Sequence, residues 1–321
     1  RISIEVDSKL SDEQDAAARQ KKLIDAVNLM TKSNGNVGVG YCPGRRQILY
    51  VISTDCYDGR GGITDTYPEL IMKIMKAAGV THGLGRVGFV LLTGATVKET
   101  MEALKGCPIN IEDFDAIICS SGSELYYPWK GMEVDADYES HVEYRWPEES
   151  IRSSVKRLAL AEEATENDVV ENEDACSSRC CSYIVREGAK VRRVDELRQR
   201  LRMRGFRCNL VYTNSGTRLN VIPLFASRIQ SLRYLSVKWG IELSKVAVFV
   251  GERGDTDYED MMGGLHKTLI IKGSVEFDSE KLLRSEDSCG REYAVPPNMG
   301  FVEKNCEVQD ISTALEALGI K

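Results

Sequence analysis

The chain of 321 residues has no apolar run approaching the ~20 residues that a membrane-spanning helix needs, and no signal peptide opens it. Neither a membrane-embedded nor a secreted protein is therefore expected. It also lacks an excess of basic charge: 42 Lys and Arg stand against 49 Asp and Glu, a net charge of −7. A nucleic-acid partner would need a basic face, so none is expected. The short basic clusters Arg45-Arg46, Arg192-Arg193 and Arg198–Arg204 read as solvated helix faces. Histidine is scarce, with three in all. None lies near the cysteine cluster Cys176, Cys180 and Cys181, and no second CxxC pair exists, so zinc-ligand spacing is not met. The ten cysteines are scattered, as in a reduced, cytoplasmic protein. There is no internal repeat. The first residue is Arg1 rather than Met, which reads as a fragment or excised region.

What is present is ordinary for a globular chain: 42% hydrophobic and 28% charged residues, enough for a sizeable core. Residues 1–45 are polar, with one amphipathic patch at Asp15–Met30 and breaks at Asn34-Gly35 and Pro43-Gly44; they read as a linker or arm. Strand and helix then alternate. Gln47–Thr54, Arg86–Leu92 and Asp115–Ser120 are apolar and strand-like. Between them, Tyr67–Ala78 places Leu70, Ile71, Ile74 and Met75 at helical spacing, and Thr96–Leu104 opens with a Thr96…Glu99 capping pattern. Such alternation predicts a Rossmann-like parallel sheet with helices on both faces.

The pattern lapses near Pro128 and resumes near Ala226. Between lie a helix at Glu148–Arg157, a polar stretch at Ala161–Ala175 read as a loop, a strand near Cys181–Val185 and a helix near Val194–Met203. A hairpin follows, Cys208–Tyr212 with Arg218–Ile222, turning at Asn214-Ser215-Gly216. This reads as an α+β cap inserted at 128–224 into a core of 46–127 and 225–321. The core continues with a helix at Arg228–Lys238, strands at Val246–Val250 and Thr268–Ile271, and a last helix at Val308–Leu318.

Several strand ends carry candidate chemistry. Asp55 ends the first strand, Thr93 ends the second, Arg228 opens the helix after the insert, and Glu252, Asp255 and Asp257 lie in the loop GERGDTDYED. Each alone has a plain explanation, since aspartates cap turns and acidic loops are commonly solvated. Together they supply a nucleophile, a hydroxyl and a cation for phosphoryl oxygens, and carboxylates for magnesium, which is what aspartyl-phosphate chemistry requires. One element is missing. Position 57, two residues after Asp55, is a tyrosine where an acid would protonate the leaving oxygen, and a phenol with pKa about 10 is a poor donor near neutrality.

In this order the residues resemble the haloacid-dehalogenase-like phosphatase superfamily. More narrowly, VISTDCYDGRG, FDAIICSSGSELYYPW, HVEYRWPEESIR and the long segment from Thr217 to Gly273 resemble the C-terminal, sucrose-phosphatase-like domain of plant sucrose-phosphate synthases. The resemblance implies Asp55 as a vestigial nucleophile and Thr93 and Arg228 as phosphate-binding groups, with Arg228 where the family has lysine. It implies magnesium on Asp55, Glu252, Asp255 and Asp257, and sugar-phosphate contacts from Ser123 and Glu124 at the crossing into the cap. Implied partners are sucrose 6-phosphate, the sucrose-phosphate phosphatase, and glycosyltransferase domains upstream. Those domains would make sucrose 6-phosphate and UDP from UDP-glucose and fructose 6-phosphate. Three readings stay open: a degenerate binding module, an active phosphatase that uses Asp55 with Asp58 or water as acid, and a purely structural or oligomerisation domain.

Overall fold

The computed structural model describes residues 46–252, 254–262, 265–274 and 298–320. The arm and its helix expected at Asp15–Met30 lie outside the described residues. Two sheets organise the rest. The larger contains β1 (Ile48–Ser53), β2 (Val87–Leu92), β3 (Ala116–Cys119), β4 (Glu124–Tyr127), β5 (Glu133–Val134), β10 (Val246–Gly251), β11 (Lys267–Lys272) and β12 (Met299–Glu303), in the order β12-β11-β10-β1-β2-β3-β4-β5. The strands from β12 to β3 are parallel, whereas β4 and β5 run antiparallel. The sheet is thus mixed, because the short turn after β3 returns the chain directly as a hairpin instead of through a crossover helix.

The central strands are apolar and β-branched because helices cover both faces. Every residue of β2 and β10 is buried. One face carries α1 (Thr66–His82), α2 (Val97–Leu104) and α8 (Val308–Ala317), packed on Tyr50, Ile52, Phe89 and Phe249. The other carries α3 (Ala136–Val142), α6 (Arg228–Trp239) and α7 (Tyr258–Met262), packed on Leu49, Val51, Val90 and Val248. The capping pattern expected for α2 is present in full: Thr96 Oγ1 accepts from the Glu99 N–H, and the Glu99 carboxylate accepts from the Thr96 N–H.

The second sheet is antiparallel, in the order β6-β7-β9-β8, with β6 (Val169–Glu171), β7 (Cys181–Val185), β8 (Cys208–Thr213) and β9 (Arg218–Pro223). α4 (Glu148–Ala159) and α5 (Val194–Met203) cover its apolar face around Tyr183, Leu197, Leu210 and Leu219. The loop expected at Ala161–Ala175 contains β6, an edge strand of three residues, too short to read from sequence, with Val169 its buried residue. The segment from Pro128 to Val142 stays with the large sheet: β5 pairs there, and Tyr138 and Val142 pack in its core.

This topology fixes where chemistry can gather. From β1 the chain winds through β2 and β3 on one side, and β10 lies on β1's other side. The sheet therefore switches direction between β1 and β10, where open α/β sheets form a crevice beyond the carboxyl ends.

Candidate active site

Asp55, two residues beyond β1, sits in that crevice and is only 6% exposed. Its Oδ1 accepts from Thr93 Oγ1 at 2.6 Å, and its Oδ2 accepts from the Gly94 N–H at 3.3 Å and lies 2.9 Å from Arg228 Nη2. Thr93 follows β2 and also accepts from the Ala95 N–H at 3.1 Å, which fixes its rotamer. Arg228 is the first residue of α6, whose start is capped by Ser227 accepting from the Gln230 N–H. Its guanidinium, 3% exposed, donates to Asp255 Oδ2 and to Ser53 Oγ at 3.3 Å. Its Nε stands 3.3 Å from Asp257 Oδ2, an ion pair without the alignment of a hydrogen bond. Arg228 thus joins the expected nucleophile to two carboxylates of the acidic loop.

The second sheet closes over this cluster. Thr213, the last residue of β8, donates to Asp255 Oδ2 at 2.7 Å, and Tyr212 and Thr256 exchange two backbone-directed bonds of 3.0 and 3.1 Å. The turn beyond carries Asn214, Ser215 and Gly216 in succession at positive φ. Asn214 Nδ2 donates to the Gly61 carbonyl and Ser215 Oγ to the Asp58 carbonyl, each at 2.9 Å. Asn220 Nδ2 donates to the Gly94 carbonyl at 3.0 Å and to Ser121 Oγ at 3.1 Å, and Arg218 makes a two-pronged pair with Glu99 at 2.5 and 2.8 Å. Gly94 permits the convergence. A Cβ there would lie 2.3 Å from Thr213 Oγ1, 2.5 Å from Asp255 Oδ2 and 2.8 Å from Arg228 Nη2.

Tyr57 is also sealed in, at 2% exposure, by a bridge between positions 57 and 63. Burial first, then the Asp55 and Asp255 charges, hold its hydroxyl well above the ordinary phenol range, against the opposing effect of Arg228 and Thr213. It stays protonated and is a poorer acid than a free phenol. Asp58 is no substitute. Its Oδ1 accepts from the Arg60 and Gly62 N–H groups at 2.8 and 2.9 Å, a turn contact on the outside of the loop. Those bonds, Gly62's foremost, lower its pKa. Asp255 moves the other way: burial raises it well above the usual carboxylate range, with Asp55 and Asp257 adding and Arg228 opposing. Three carboxylates share one guanidinium, so the buried cluster favours retaining a proton.

The remaining candidates lie apart from this centre. Glu252 is exposed. Ser123 and Glu124 are buried and satisfied locally: Ser123 Oγ donates to the Ser120 carbonyl at 3.0 Å, and Glu124 accepts from Ser120 Oγ at 2.9 Å. Magnesium asks for several oxygens turned towards one point. Here the facing oxygens of Asp55 and Asp255 already accept from Thr93, Gly94, Thr213 and Arg228. Among the described residues, no group of three His, Cys, Asp or Glu is placed to hold a metal. These residues, so arranged, do not fit a magnesium ion. Thr213, Asn214, Arg218 and Asn220, which close the site, carried no sequence signal beyond the hairpin turn itself.

The model of the family described as sucrose-6F-phosphate phosphohydrolase matches residues 73–282. The chain belongs to that family. It is 56% identical over its whole length to sucrose-phosphate synthase 4 of Arabidopsis thaliana and 44% identical over 98% of its length to "Probable sucrose-phosphate synthase 5" of Oryza sativa subsp. japonica. The chain spans about a third of the length of these curated relatives, 31% and 32% respectively. Among solved structures it is similar to a sucrose-phosphatase from Synechocystis in complex with sucrose and phosphate. The TM-score is 0.61 at 14% identity, covering 85% of this chain and 98% of that one. At that identity the likeness shows the fold.

Proposed function

We propose that the chain is the C-terminal, phosphatase-like module of a sucrose-phosphate synthase and has lost phosphatase competence. In this reading, glucose transfer from UDP-glucose to fructose 6-phosphate belongs to glycosyltransferase domains upstream. The observation that carries the loss is Tyr57. A sealed phenol, held protonated beside the Asp55 carboxylate, occupies the position from which the leaving oxygen would receive its proton. General acid catalysis is worth about 10²–10⁴ in rate, and Asp58, the other acid nearby, is tied into an outer turn.

The module then serves recognition, tuning the synthase through sucrose 6-phosphate or through the phosphatase that consumes it. Support comes from the synthase relatives and from the Synechocystis structure, whose ligands are sucrose and phosphate. A cytoplasmic setting suits the free thiols of Cys176, Cys180 and Cys181. The structural or oligomerisation reading draws on Ser123 and Glu124, whose polar atoms are satisfied within their own turn.

The test is phosphate release from sucrose 6-phosphate with excess magnesium, comparing the chain with Asp55→Asn. Equal, background release is expected. Clear release abolished by Asp55→Asn would make this an active phosphatase.

A further inference from the structure

We propose that the Arg228 guanidinium is a resident cation, standing where a divalent metal would otherwise join the carboxylates of this site. The inference deepens the phosphatase-like reading above and rests on it. Three carboxylates from two separate loops meet at the carboxyl edge of the sheet, Asp55 after β1 and Asp255 and Asp257 after β10. A constellation of this kind attracts a hard cation. The cation already present is covalently part of the chain. One nitrogen, Nη2, serves both Asp55 and Asp255, Nε faces Asp257 at 3.3 Å, and Nη1 donates to Ser53 at 3.3 Å. A planar guanidinium can face several carboxylates at once, which a lysine ammonium at the same position could not do.

Charge alone would still admit a metal, because three carboxylates outnumber one guanidinium. The hydrogen bonds at Asp55 and Asp255 argue otherwise, although neither Asp257 oxygen accepts one. The Asp55 and Asp255 oxygens that face each other are taken by four donors. Gly94 packs against the same group, since an added methyl there would strike Asp255, Thr213 and Arg228 together. Placing Arg228 at the first position of α6 sets its charge at the positive end of the helix dipole, an unfavourable location unless anions compensate. The same Asp255 oxygen accepts from Thr213 of the second sheet, so the guanidinium also braces the closed arrangement.

Manganese(II) provides the probe, its uptake followed by loss of the free-ion electron paramagnetic resonance signal and by the melting temperature of the whole chain. The wild type and Asp55→Asn should titrate alike, with no uptake that depends on Asp55. Arg228→Ala should gain a single manganese site, about tenfold or more tighter than any in the wild type, with a melting temperature that rises on adding the metal. If Arg228→Ala does not fold without metal, Arg228→Lys, which keeps a charge but cannot span all three carboxylates, takes its place and should show the same gain. Manganese uptake by the wild type that Asp55→Asn removes would overturn the proposal, as would no gain in either Arg228 variant. Turnover is not part of this readout, so the resident cation can fail while the missing phosphatase activity stands, and the reverse.

Discussion

The two sheets are held in different ways. The central strands of the large sheet are buried on both faces and turn mainly apolar side chains to the helices until the chain reaches the carboxyl edge. The small sheet divides its faces by the strand period of two. Tyr183, Leu210, Tyr212, Leu219 and Val221 point to α4 and α5, while Ser182, Thr213, Arg218 and Asn220 point the other way. Most of that second set reaches a partner on the large sheet's side: Thr213 reaches Asp255, Arg218 reaches Glu99, and Asn220 reaches Gly94 and Ser121. Non-directional burial therefore sets whether the large sheet folds, whereas directional bonds set whether the small sheet is closed upon it.

That contrast can be broken at its centre. Arg228→Ala leaves the three buried carboxylates without their cation and should lower the unfolding free energy by about 3–5 kcal/mol, read from urea titration near neutral pH. A loss under about 1 kcal/mol would mean that the cluster is not bound as described. Leu91→Ala removes a fully buried side chain from β2 and should cost about 2–5 kcal/mol, with hydrogen exchange accelerated throughout the large sheet rather than at the hairpin.

The latch itself should give smaller and more local effects. Asn220→Ala deletes two donated bonds, and the bond accepted from Ser182 Oγ at 3.0 Å, and should cost about 1–3 kcal/mol. Faster exchange is expected at 213–217 while β1, β2 and β10 keep their protection. Equal acceleration in both sheets would contradict a division between burial and latch.

The smallest effect is a pH dependence. Burial raises the pKa of Glu99, but its pair with Arg218 and its bonds with Thr96 outweigh this, so the net shift is downward. A carboxylate with a depressed folded-state pKa stabilises above its unfolded value, and that contribution disappears as pH falls through the folded one. Exchange at the hairpin should therefore quicken as pH is lowered below the ordinary glutamate range, after correction for intrinsic rates. Arg218→Ala should raise it already at neutral pH and flatten the profile. A profile unchanged by Arg218→Ala would place the acid sensitivity elsewhere.

Much of the large sheet was legible in the sequence because its central strands are buried on both faces and so read as continuous apolar runs. α5 was expected at Val194–Met203 and lies there, since Leu197 and Leu201 keep strict helical spacing. β6 was missed because three residues at an edge carry too little pattern, and β4 because the aromatic string after Gly122 reads equally as a loop. Asp55, Thr93 and Arg228 could be nominated from strand ends and a helix start. Their mutual distances could not, because they depend on which strands are neighbours: β1 and β10 are nearly two hundred residues apart in sequence but adjacent in the sheet. The latch was illegible for a related reason. Thr213 and Asn220 look like ordinary strand residues, and their partners on the large sheet's side are met only in the closed pose.

The most direct measurement is a crystal structure of the chain grown with magnesium and the phosphate mimic vanadate. Expected is an Arg228 guanidinium within hydrogen-bonding distance of both Asp55 and Asp255, with no metal between the carboxylates and no vanadium at Asp55. A magnesium ion coordinated by Asp55, with Arg228 swung aside, would contradict the resident cation and reopen the site to phosphoryl chemistry.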